Sequence, residues 1–110
     1  MNHAVLCAQE ELLPAAAREE GPHVVRVVVD TLSINDVRTL QNDVFSRPLG
    51  EVTELTVVIV CRALRVEAQN ALLKVLEDPP AAVQFYFVVT ESATILPTLR
   101  SRFTEILTKN

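Results

Sequence analysis

Along the chain, short apolar runs alternate with stretches whose apolar residues recur at helical spacing. Ala4–Ala8 reads as a short strand. Residues Glu10–Glu20 follow as a helix rich in alanine, with Pro14 in its first turn, where proline is tolerated. Gly21 and Pro22 stop it. His23–Asp30 is a valine run of the kind that suits a strand covered on both faces, and Arg26 inside it should lie near an edge or an end. Ser33 and Asp36 have the spacing of a capping box, so a helix starts at Ser33. It places Ile34, Val37, Leu40, Val44 and Phe45 on one face and ends at Arg47-Pro48-Leu49-Gly50. Leu55–Cys61 is the clearest strand. Glu67–Glu77 is the clearest helix, with Ala68, Ala71, Leu72, Val75 and Leu76 at i, i+3, i+4, i+7 and i+8. Asp78-Pro79-Pro80 ends it, because the residue before a proline is pushed out of helical space. Val83–Thr90 is a fourth strand, Thr94–Arg102 a short helix with Pro97 in its first turn, and Phe103–Leu107 a fifth, weaker strand.

Helices between successive strands imply an α/β fold with a parallel sheet and helices on both faces, since parallel connections need crossovers. At 110 residues the chain is sized for one domain, residues 1–110, with a small core. The first 13 residues lack the basic start and long apolar run of a signal peptide, and no run approaches a membrane span.

Composition narrows the chemistry. Only two glycines occur, Gly21 and Gly50, and the lysines are Lys74 and Lys109. A phosphate loop needs glycine where the backbone meets phosphate, followed by lysine, and a dinucleotide fingerprint needs three clustered glycines. Neither can be written with this chain. A net charge of −4 argues against a dominant electrostatic grip on nucleic acid. Cys7 and Cys61 lie in apolar runs and read as small buried residues, and no metal-ligand spacing involves them, His3 or His23. No cofactor is expected, and a reducing, cytoplasmic setting follows from the cysteine usage. The acidic residues Glu10, Glu11, Glu19 and Glu20, and Glu77 with Asp78, read as solvated surface.

More specific is Ala68–Pro80, AQNALLKVLEDPP, which resembles a segment of the ATPase domains of bacterial clamp loaders, the gamma/tau and delta-prime subunits of DNA polymerase III. Asp36-Val37-Arg38-Thr39-Leu40-Gln41 resembles the family's VRxL helix. Phe87-Val88-Val89-Thr90 is similar to the strand ending at sensor 1, and Leu96-Pro97-Thr98-Leu99-Arg100-Ser101-Arg102-Phe103 to LPTIRSRC. The blocks keep the family's order from about His23 to Leu107. The resemblance implies the AAA+ (P-loop NTPase-like) core, a three-layer arrangement around a five-stranded parallel sheet in the order 5-1-4-3-2.

Departures from the family pattern are equally informative. Where the resemblance implies a phosphate loop, the chain reads Cys7-Ala8-Gln9-Glu10-Glu11-Leu12. Where it implies the Walker B acids, the chain reads Cys61-Arg62-Ala63-Leu64. Cysteine, arginine and leucine supply no oxygen ligand for magnesium, and Arg62 adds positive charge there. Thr90 occupies the sensor 1 position, whose role depends on a bound phosphate. These losses favour delta-prime over gamma/tau and lead to the expectation of no ATP hydrolysis by this chain alone.

The Arg100-Ser101-Arg102 block remains. In the family, the second arginine acts in trans as a finger into a neighbour's ATP, and a guanidinium fork matches the charge spread over γ-phosphate oxygens. Arg102 either plays that part or is a surface arginine at the last turn of its helix; Arg100 reads as its solvated neighbour. Gln69 and Asn70 fall beside the apolar stripe, where they would face a partner. The chain ends after the fifth strand, so the family's lid and collar domains are expected to be absent. The leading expectation is a non-catalytic, delta-prime-like clamp-loader component. It would dock on gamma/tau-like AAA+ subunits, with other replisome proteins as further candidates, meeting DNA only indirectly and no membrane. The alternative is a minimal interaction domain derived from a clamp loader, with no replication role.

Overall fold

The computed structural model describes residues 4–18, 21, 23–45, 54–77 and 83–107. Five strands form the main sheet: β1 (Ala4–Cys7), β2 (Val24–Val28), β4 (Leu55–Cys61), β6 (Val83–Val89) and β7 (Glu105–Leu107). Every pairing is parallel, and the order is β2-β4-β6-β1-β7. Counting these strands alone in chain order, it reads 5-1-4-3-2 from the β7 edge. A second, two-stranded parallel sheet joins β3 (Thr31–Leu32) to β5 (Ala63–Leu64). These short strands continue β2 and β4 beyond the carboxyl edge, where the Asp30 carbonyl accepts the N–H groups of Arg62 and Ala63. The sequence reading ended the preceding strands at Asp30 and Cys61 and left these two pairs of residues outside any element.

Alternation along the strands sorts the core into two faces. Leu55, Val57, Ile59 and Cys61 of β4 and Val83, Phe85, Phe87 and Val89 of β6 point one way. There they meet Val37 and Leu40 of α2 (Ile34–Phe45), Ala68, Leu72, Val75 and Leu76 of α3 (Val66–Glu77), and Leu99 of α4 (Pro97–Arg100). Val58, Val88, Val5 and Cys7 point the other way, against Leu13 and Ala17. The two cysteines are therefore buried on opposite faces of one sheet, which keeps them from pairing with each other. Burial, reinforced by the Asp30 carboxylate, pushes the Cys61 thiol up to about 11, so it stays protonated.

Several expected elements change shape, each for a local reason. The helix expected over Glu10–Glu20 breaks into a 3-10 turn, Glu10–Leu12, and α1 (Ala15–Arg18). Leu13 between them is extended, as a residue before proline prefers, and the Pro14 carbonyl opens α1 by accepting from Ala17 and Arg18. The helix expected over Thr94–Arg102 likewise divides at Leu96-Pro97 into a 3-10 turn, Ser92–Thr94, and α4. The valine strand is not covered on both faces. β2 is an edge strand, and Val28 is 65% exposed. Arg26 lies on this edge as expected and forms an ion pair with Glu10, which is therefore more than solvated surface. At α2 the capping box is closed: the Ser33 N–H donates to Asp36 Oδ2 at 2.9 Å and the Asp36 N–H to Ser33 Oγ at 3.3 Å. The stops expected at Arg47–Gly50 and Asp78–Pro80 lie outside the described residues, as does His3.

Candidate functional site

The residues singled out in the sequence occupy opposite edges of the main sheet. At the carboxyl edge, β4 and β6 end side by side. The Thr90 N–H donates to the Cys61 carbonyl at 3.1 Å and the Glu91 N–H to the Arg62 carbonyl at 2.8 Å. The Walker B-like positions and the sensor 1-like position are thus neighbours. Cys61 and Leu64 are buried in the core; Thr90 is exposed.

Arg62 does not stand as an unbalanced charge. Its Nε and Nη2 grip Asp30 as a fork, at 3.1 and 3.0 Å, and its Nη1 donates to Glu91 at 3.0 Å. Its Nη2 also reaches the Thr31 hydroxyl at 3.3 Å. The guanidinium therefore ties the chain just after β2 to that just after β6, across the end of β4. Hydrogen bonding from Arg62, then from Thr31, holds the Asp30 carboxyl below its ordinary range. The Arg62 guanidinium is held yet more firmly protonated by Asp30 and, second, Glu91. Asp30 and Glu91 escaped the sequence reading because they lie 32 and 29 residues from Arg62. The signal available was that each follows the end of a strand in a parallel sheet. Among the described residues, no group of three or more His, Cys, Asp or Glu side chains is placed to hold a metal ion.

At the amino edge lies the Arg100-Ser101-Arg102 block. Pro97 starts α4 with a fixed φ and no N–H to satisfy, and Leu99 anchors it in the core. The Ser101 hydroxyl closes the last turn on the Thr98 carbonyl at 2.8 Å. Phe103, where the family pattern has cysteine, packs edge-on against Phe87 at 5.2 Å. Thr104 then bonds the Ala4 carbonyl at the start of β1, which fixes the block at the amino edge. Arg100 is half-buried and donates to the Ser92 carbonyl, so it is not simply solvated. Arg102 is exposed, and its Nη2 donates to Glu77 Oε1 at 2.9 Å.

Helix α3 connects the two edges; its 12 residues span about 18 Å at helical rise. Gln69 departs from expectation. It is 2% exposed rather than partner-facing. Its amide donates to the carbonyls of Leu64 and Thr94, each at 3.2 Å, and its Oε1 accepts the Leu96 N–H at 2.7 Å. A buried amide satisfies both donor and acceptor only where neighbouring backbone is arranged around it. Gln69 therefore joins the end of β5 to the start of α4, and the two motifs AQNALLKVLE and LPTLRSR form one unit. Its neighbour Asn70 is exposed, in the shallow groove between α2 and α3 with Arg38, Glu67 and Lys74.

Comparison with known proteins gives a consistent family. The profile described as DNA polymerase III, delta subunit, matches residues 5–110. DNA polymerase III gamma/tau subunits of Mycobacterium bovis and Mycobacterium tuberculosis are 35% identical over 69 residues, 63% of this chain and 12% of theirs. A DNA polymerase III gamma subunit-related protein from Thermotoga maritima superimposes over 99% of this chain and 41% of its own, with a TM-score of 0.72 at 21% identity. That likeness is one of fold. The chain thus spans a small part of the length of the relatives it matches.

Proposed function

Since the chain belongs to the DNA polymerase III delta subunit family and is clamp-loader-like, we propose that it is a delta-prime-like component of a clamp loader in DNA replication. In this reading it is a degenerate AAA+ core that does not hydrolyse ATP itself. It docks on an ATP-binding gamma/tau-like neighbour and offers Arg102 to that neighbour's nucleotide.

One observation carries the proposal: the two edges have opposite character. Ligands of open α/β sheets bind at the carboxyl ends of the strands. In this chain that end carries a buried cysteine, a buried leucine and an arginine already engaged by two carboxylates. Arg102 is exposed at the other edge, beyond the reach of its own chain's carboxyl edge. A guanidinium so placed acts on a phosphate only if a second subunit brings one. A planar fork suits charge developing on γ-phosphate oxygens.

The test mixes the protein with the gamma/tau subunit of the same organism and measures ATP hydrolysis. Stimulation by the unaltered chain that is lost with Arg102→Ala supports the proposal. Failure of the two proteins to associate, or equal rates with both forms, overturns it.

A further inference from the structure

The base of Arg102 is rigid. Its backbone N–H bonds the Leu99 carbonyl at 2.9 Å, Ser101 closes the turn before it, and Phe103 after it is buried. Its tip makes one side-chain hydrogen bond among the described residues: Nη2 donates to Glu77 Oε1 at 2.9 Å. A guanidinium has five N–H donors in a fixed plane, so a single bond to Glu77 leaves most of the fork uncommitted. Arg100 differs: it is half-buried, and its Nη2 donates to a backbone carbonyl of its own chain.

Glu77 is the last residue of α3. A carboxylate there faces the negative end of the helix dipole, where a cation is favoured instead. Arg102 supplies that cation, so each group has a reason to keep the other. We infer that Glu77 is a positioning residue for Arg102: it holds one edge of the guanidinium and leaves the other turned outward for an anionic group. This rests on the trans-finger reading, and it names the class of group met: the phosphate oxygens of a nucleotide bound by the neighbour. An untethered arginine would lose more rotamer freedom on engaging that group.

The experiment measures kcat and KM for ATP hydrolysis by the gamma/tau subunit with Glu77→Ala, Glu77→Gln, Arg102→Ala and the double variant Glu77→Ala/Arg102→Ala. Glu77→Ala is expected to lower the stimulated kcat about three- to fivefold, the upper range for an exposed ion pair. KM for ATP, association of the two proteins and melting temperature should stay unchanged. Glu77→Gln keeps an oxygen acceptor at the same reach and should restore most of the rate. In the Arg102→Ala background, Glu77→Ala should change nothing further. An unchanged or raised kcat with Glu77→Ala, or the same loss in that background, overturns the positioning role while the finger stands. If Arg102→Ala itself leaves kcat unchanged, the finger reading falls and the positioning role falls with it.

Discussion

At the carboxyl edge of the sheet Arg62 commits its guanidinium to two carboxylates and a hydroxyl. At the amino edge Arg102 is exposed and, among the described residues, gives one N–H to Glu77. The two side chains are exposed to the same degree, 47% and 45%, so exposure does not tell them apart. Hydrogen-bond saturation does. A guanidinium with its fork filled is a strut between strand ends. One held by a single edge can still recognise an anion. At the carboxyl edge the guanidinium joins strand ends, and at the opposite edge it lies exposed.

Perturbing the helix that joins the two edges should have the largest effect. Gln69→Ala removes three hydrogen bonds and leaves backbone groups at Leu64, Thr94 and Leu96, buried or partly buried at the bond, without their partner. A loss of about 2–4 kcal/mol is expected in a denaturant titration. A variant as stable as the parent would mean that water or rearrangement replaces the amide, and the unity of the two motifs would fail.

Arg102→Ala comes next. Its ion pair is exposed, so stability should change by less than about 1 kcal/mol. Stimulation of a gamma/tau neighbour's ATPase should nevertheless fall steeply, toward the roughly thousandfold that is the lower end of the arginine-finger scale. Equal losses of stability and activity would instead make Arg102 a strut like Arg62.

Arg62→Asp tests whether the carboxyl edge can be returned to nucleotide chemistry by one acid. Calorimetric titration with ATP and magnesium should stay flat, because Cys61 and Leu64 remain buried and residues 7–12 offer no phosphate loop. Micromolar binding by this variant would show that Arg62 alone had closed the site. The variant should also be less stable, since it sets a third carboxylate beside Asp30 and Glu91.

The smallest effect concerns pH. The Asp30 carboxyl sits below its unfolded value of 3.8 in the folded chain, chiefly through its hydrogen bond from Arg62. Its contribution to stability is therefore complete above that value and is lost as pH falls through the lower folded value. Melting temperature measured from pH 5 down to 2 should fall slightly more steeply for the parent than for Asp30→Asn. Identical acid limbs would remove Asp30 from the strut. High salt should flatten the difference, because the pair is exposed.

Much of the fold was legible because it is encoded in local periodicity. Leu55–Cys61 and α3 emerged nearly as expected, and the Ser33–Asp36 spacing announced a cap that is closed. The same local reading misjudged His23–Asp30. A valine run looks alike whether both faces are covered or one side of the strand is open, and only sheet order separates the cases. It overlooked the breaks before Pro14 and Pro97, although the residue before proline carried that signal. Gln69 was placed facing a partner because it falls beside the apolar stripe of its helix; three backbone groups make its burial favourable. The site residues were found by their blocks, whereas their partners Asp30, Glu91 and Glu77 were not, since ion pairs between distant residues leave no periodic trace.

The sequence by itself determined the five main strands and the two long helices, that strands and helices alternate toward a parallel sheet, and that glycine and lysine are lacking where a phosphate loop would need them. Those are properties of neighbours along the chain: spacing, capping, residue type. Tertiary structure decided which strand lies at an edge, that Arg62 is neutralised and Arg102 left half-engaged, and that α3 carries both Gln69 and Glu77 to the arginine block. The physical reason is that hydrogen-bond saturation depends on groups brought together across 25 to 32 residues by the packing of helices on a sheet.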